Sequence, residues 1–298
     1  MLDIVSTASI PIFVTFIVVE FLVSRAHALG LYEKKDAVAS LVVGIVSIAF
    51  STLSHGLLVL AMAAINQWVP WSVPHNVWGW IAAFVVTDFL FYWHHRIHHE
   101  VRVFWASHVV HHSSQNYNYA VALRQGWTET FTAAPFYLPL AFLGFSPEMY
   151  LVCYGLNLVY QFFPHTQTVR RLGVLEWVMN TPSHHRVHHG SNLRYLDANY
   201  AGVFIVWDRL FGTFVEERDD EPVVYGLIHD IDTFNPIRIN TDSWVELARD
   251  AASAGRFGVA LKYLFGPPGW HPDERSATVA ELRAREIDAA ASAVPAAE

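Results

Sequence analysis

The sequence predicts an all-α integral membrane protein: four to five membrane helices and a cytoplasmic-face helical cap carrying a histidine-rich dimetal site. Three observations predict it. Of the 298 residues, 53% are hydrophobic and only 15% charged, against about 25% charged in soluble domains. Long apolar runs recur through the first half of the chain. Three short segments then hold dense histidine clusters, His95-Arg-Ile-His-His99, His108-Val-Val-His111-His112 and His185-Arg-Val-His188-His189.

The first run covers residues 4–24 and is interrupted only by Glu20. Ala26-His27-Ala28 looks like a signal-peptidase site, but no basic n-region precedes the run and it exceeds the roughly 7–15 residues of an h-region. A retained membrane helix is the expectation. Runs at 37–65 and 76–93 are each near the roughly 20 residues that span a bilayer. A fourth stretch, 131–163, is broken at Gly144-Phe-Ser-Pro147 and reads as two spans or an incomplete hairpin. Arg25, Lys34 and Lys35 follow the first run, the 66–75 connection has no Lys or Arg, and Arg96, Arg102, Arg124, Arg170 and Arg171 follow the later runs. The positive-inside rule then places the N-terminus outside and all three clusters in the cytoplasm. Residues 199–215 are apolar but carry Asp208 and Arg209, so they are expected to pack on the catalytic helices or the bilayer face without spanning it. Thr278-Val-Ala-Glu281 reads as a capping box opening a short helix. The final alanine-rich residues are expected to fray. These readings divide the chain into N-terminal membrane helices at 1–75, a catalytic domain at 76–235 and a cytoplasmic extension at 236–298.

Charge and cysteine content narrow the chemistry. The net charge of −8 argues against a nucleic-acid partner. The single Cys153 excludes an internal disulfide, a cysteine-ligated zinc site and an iron–sulfur cluster. Residues three and four apart share a helix face, so each cluster points imidazoles to one side. Eight such rings, His95, His99, His108, His111, His112, His185, His188 and His189, can surround two metal ions, and His165 is a candidate ninth. Imidazole suits iron, zinc, copper and nickel. A nearly all-imidazole pair of ions fits O2 activation and attack on a C–H bond. His94/His98 is a competing register, disfavoured because Asp88, Tyr92, His95 and His99 fall on one face. Asp88, Asp197 and Asp208 are candidates to accept a histidine's second N–H. Asn199 is a candidate outer ligand or partner of a metal-bound water. Glu100 also reads as a solvated helix end. Isolated His27, His55, His75 and His271 read as packing residues, and His229 stays open.

The clusters resemble the HxxxH, HxxHH and distant HxxHH pattern of the fatty acid hydroxylase/sterol desaturase superfamily, over roughly residues 76–235. The stretches from Asp88 to Glu100, Trp105 to His112, Asn180 to His189, Asn199 to Gly202 and Trp207 to Thr213 are most similar to alkylglycerol monooxygenase-type proteins. The resemblance implies a non-haem di-iron monooxygenase of lipid metabolism, with two Fe2+ held by the eight cluster histidines, O2 as co-substrate, and Glu100 important nearby. It implies a membrane lipid as substrate, fatty acyl, ether lipid or sterol. It also implies an external electron donor: a reductase, a redox protein or a reduced pterin such as tetrahydrobiopterin. The chain shows no Rossmann-type glycine fingerprint and no cytochrome b5-type segment. A lipid desaturase on the same site, a zinc hydrolase, a membrane haem protein and a non-enzymatic metal-binding membrane protein remain alternatives. Oligomeric state is not constrained.

Overall fold

A computed structural model of the chain describes residues 2–293; of the alanine-rich end expected to fray, residues 289–293 continue the last helix and 294–298 lie outside the described residues. Two long helices open it, α1 (Leu2–Ala26) and α2 (Lys34–Asn66). Both are long and apolar enough to cross a membrane, and only 17% and 28% of their most apolar windows are buried within the protein. Their outer faces therefore call for an apolar surrounding other than this chain. Glu33 caps α2 by accepting the Asp36 N–H. Next comes α3 (Val77–Glu100), capped by Asn76, whose side chain accepts from Gly79 N at 2.9 Å. At 1.5 Å per residue α3 is about 36 Å long, with its apolar part first and its histidines in the last turns.

After α3 the elements shorten. α4 (Arg102–His112) turns back along α3. The fourth apolar stretch is a broken arm and a straight one. α5 (Glu129–Ala133), a 3-10 turn at 134–137 and α6 (Leu138–Phe142) form the broken arm, where Pro135 and Pro139 each remove a backbone donor. Gly144, at φ 85°, turns the chain, and its carbonyl accepts from Val73 N. α7 (Pro147–Phe162) follows, started by a Ser146 cap and Pro147. Its 16 residues span about 24 Å, short of the roughly 30 Å hydrocarbon core. Met62, Tyr137, Leu140, Met149, Tyr150 and Cys153 form the main core between these arms and α2 and α3.

The remaining helices are α8 (Pro182–His188), α9 (Val206–Phe211), α10 (Pro236–Ser253), α11 (Phe257–Phe265) and α12 (Val279–Ala293). Residues 199–215 do not span: α9 is a single short helix whose aromatic residues pack on α3. The expected capping box is formed, with Glu281 N donating to Thr278 Oγ1 at 3.3 Å and Thr278 N to Glu281 Oε2 at 2.9 Å.

Candidate metal centre

The last turns of α3, the length of α4, α8 with its C-cap and His165, three residues past the end of α7, converge on one interior volume. They bring nine histidines together in two adjacent groups. His95, His99, His108, His112 and His188 form one, and His111, His165, His185 and His189 the other; within each, one ring nitrogen from every residue lies within 4.8 Å of the others, and every residue is buried. The groups adjoin, with the rings of His112 and His189 centred 4.4 Å apart. All eight cluster histidines and His165 are therefore assembled. His94 and His98 point elsewhere: His94 Nδ1 lies 3.2 Å from Tyr137 Oη, and His98 donates from Nδ1 to the His94 carbonyl, with Nε2 2.8 Å from Thr132 Oγ1. His184 lies on the Thr181 N–H at the α8 start. His55 donates to the Ser51 carbonyl, and His271 contacts Tyr263.

The hydrogen bonds fix which ring nitrogens carry protons. A carbonyl can only accept, so a ring nitrogen beside one is N–H. His95 Nδ1 donates to Tyr200 O at 2.8 Å, His111 Nδ1 to Arg124 O at 3.2 Å, His165 Nδ1 to Gln161 O at 2.7 Å and His188 Nδ1 to Ala198 O at 3.0 Å. A neutral ring so committed offers a bare lone pair at Nε2. Those lone pairs face one another: His95 and His108 Nε2 atoms are 3.0 Å apart, and those of His165 and His111 3.1 Å. His99, His188 and His189 Nε2 are buried with no protein partner. Protonation does not relieve the crowding, because burial holds His165 down to about 4 and His188 down to about 3. Converging, desolvated lone pairs need a cation between them, so these residues fit a pair of divalent metal ions.

Glu129, which sequence reasoning passed over, supplies a carboxylate hydrogen-bonded to one of these histidines. His108 Nδ1 donates to its Oε1 at 2.7 Å. Burial pushes the Glu129 carboxyl up, but His108 beside it outweighs that and leaves it below the usual carboxylate range. The signal was present: Glu129 is the only acid between Glu100 and Glu148.

The four polar residues singled out from sequence, Asp88, Asp208, Asn199 and Glu100, take the following partners. Asp88 makes no contact with a histidine. It accepts from Val203 N, Phe204 N, Trp207 Nε1 and Asn157 Nδ2, pinning the 203–207 turn to α3 and α7. Asp208 acts one step away: it accepts from the N–H groups of Tyr200 and Ala201 and from Thr213, fixing the backbone whose carbonyl holds His95. Burial raises its carboxyl to about 6. The Asn199 amide, expected near a metal-bound water, donates instead to His184 O and Val215 O, at a backbone φ of 56°. Glu100 pairs with Arg96 at 2.9 Å and is partly exposed. Asp197 lies 3.7 Å from His99 Nδ1.

Residues 80–213 match the fatty acid hydroxylase family. Its homologues include alkylglycerol monooxygenases at 37–44% identity over most of the chain. The Xenopus tropicalis alkylglycerol monooxygenase is 39% identical over 91% of this chain and 60% of its own length, and the Homo sapiens protein 44% identical over 74% and 49%. An ornithine lipid hydroxylase of Rhizobium tropici is 30% identical over 45% of this chain and 41% of its own length. The chain thus spans roughly half the length of the curated relatives it matches. No solved structure matches it significantly.

Proposed function

We propose that the chain is a membrane-bound, O2-dependent hydroxylase of a lipid hydrocarbon chain, working through two iron ions held by nine histidines. The observation that carries this is the pair of buried all-histidine groups with facing, unprotonated nitrogens. His95, His99, His108, His112 and His188 would hold one ion, and His111, His165, His185 and His189 the other. Bound iron would supply what no imidazole can, activation of O2 and removal of hydrogen from an unactivated carbon.

The protein supplies the rest. Backbone carbonyls at Tyr200, Arg124, Gln161 and Ala198 hold four rings in the tautomer that presents Nε2 inward. Glu129 gives His108 an anionic partner, raising its basicity as a ligand. Burial of every ring excludes bulk water from the reacting carbon. Conversion of R–H and O2 to R–OH and water consumes two electrons and two protons, for which we assign an external reductase, redox protein or reduced pterin. The names of the relatives support a lipid substrate with an alkyl or acyl chain, and the active site is assigned to the cytoplasmic face of a multi-pass protein.

The test is turnover in liposomes containing an alkylglycerol or an acyl glycerolipid, under 18O2, with reduced pterin or a ferredoxin-type donor. Incorporation of one 18O atom into the lipid is expected. An alkene without 18O would make the chain a desaturase, and hydrolysis without O2 uptake would make it a zinc-type hydrolase.

A further inference from the structure

The segment after His165 carries an exposed apolar surface that no step of the proposed chemistry uses. In the 3-10 turn at 173–177 and its flanks, Val174 is 82% exposed and Trp177 70%, with Leu175 and Val178 about half exposed. Leu210 of α9 is 67% exposed. The two pieces form one surface. Met179 pairs with Phe204 in an isolated β-bridge, and Arg209 donates to Glu176 O at 3.1 Å while its guanidinium lies 5.4 Å from the Trp177 ring centre. The segment's only acid is engaged locally: the Glu176 carboxylate accepts from Leu172 N and from Thr181 Oγ1.

The level of this surface is set by α3. Phe204 packs on Phe84, and Trp207 on Phe89, all within the apolar part of that helix. Along the axis, Phe89 lies roughly 9 Å, and Phe84 roughly 16 Å, from His95 on the apolar side. The patch therefore sits beside the apolar part of α3, where Trp78, Ile81 and Val85 are also exposed, and not beyond it. Exposed Arg170, Arg171 and Arg209 edge it. An apolar patch carrying an exposed tryptophan and rimmed by arginines matches the boundary between anionic headgroups and acyl chains.

We propose that residues 172–178 and α9 form a foot immersed in the headgroup–acyl boundary of the leaflet nearest the histidines, with anionic phospholipid as its partner. The foot seats the buried histidines at a depth that a membrane lipid reaches without leaving the bilayer. It stands whether or not the chain is a hydroxylase.

The experiment places nitroxide labels on Val174→Cys and Leu210→Cys in the full chain, with Cys153→Ala as background, in phosphatidylcholine–phosphatidylglycerol liposomes. Collision rates with membrane-soluble O2 and water-soluble nickel chelate are compared with those of a label at Glu246→Cys, whose side chain is 71% exposed on α10. Circular dichroism checks the fold, and three of the four sites are surface positions that tolerate substitution. The expected result is an O2-to-nickel ratio severalfold higher at 174 and 210 than at 246. A ratio equal to that at 246 would show a water-facing surface and overturn the proposal. Shielding from both reagents would show a protein partner or second copy there, and would overturn it equally.

Discussion

Each histidine of the two groups can serve as a ligand only where its surroundings settle the position of its proton. His108 is the sharpest case, since Glu129 is its acceptor at 2.7 Å. Glu129→Gln keeps the size and removes the charge; metal affinity should fall about 10–100-fold, read by chelator competition, with the circular dichroism unchanged. Asp88→Asn should do the reverse. It removes an anion that takes four donors, so it should cost about 2–3 kcal/mol of stability and lower Tm, while metal per folded chain stays constant. Acid sensitivity belongs to the same scale. His188 and His165, held at about 3 and about 4, bind protons more readily in the unfolded chain, where the ordinary value is about 6.5. Their contribution to metal-free stability is thus complete above pH 6.5 and is lost as pH falls, by about 2 kcal/mol per ring at pH 5. Thermal melts of chelated protein from pH 7.5 to 4.5 should show Tm dropping below 6.5. The histidine register was legible because i, i+4 spacing selects a face; that Asp88 bonds the 203–207 turn and Asn157 instead of a histidine is something spacing alone does not reveal.

The elements that carry these residues are held by close backbone approaches and buried charge. A Cβ at Gly126 would meet the carbonyl oxygen of Ser107 at 2.1 Å, directly before His108. Gly126→Ala must shift α4 or the loop leading to Glu129, costing about 1–3 kcal/mol and weakening metal retention, measured by metal analysis after dialysis. Arg124, 1% exposed, pairs with Asp36 at 3.1 Å and donates to Val110 O, tying the start of α2 to the end of α4. Sequence showed the apolar runs, the break at Gly144 and the capping box at Thr278. It did not show that 131–142 would fragment into short helices, nor that Glu129 would swing under His108. Both depend on tertiary contacts across α2, α4 and α5, to which hydrophobic periodicity is blind.

For the whole molecule, the proposed hydroxylation draws its electrons from an external donor. Purified protein given NAD(P)H alone should therefore show no lipid oxidation, while adding the correct donor should restore it; robust turnover with NAD(P)H alone would contradict that assignment. The central claim is the dimetal centre itself. Its most direct measurement is iron-57 Mössbauer spectroscopy with metal analysis on anaerobically purified protein, reconstituted with iron and measured before and after O2. The account predicts one iron for each histidine group, magnetically coupled and converted from ferrous to ferric by O2. Stoichiometric zinc that iron does not displace, or iron indifferent to O2, would contradict it.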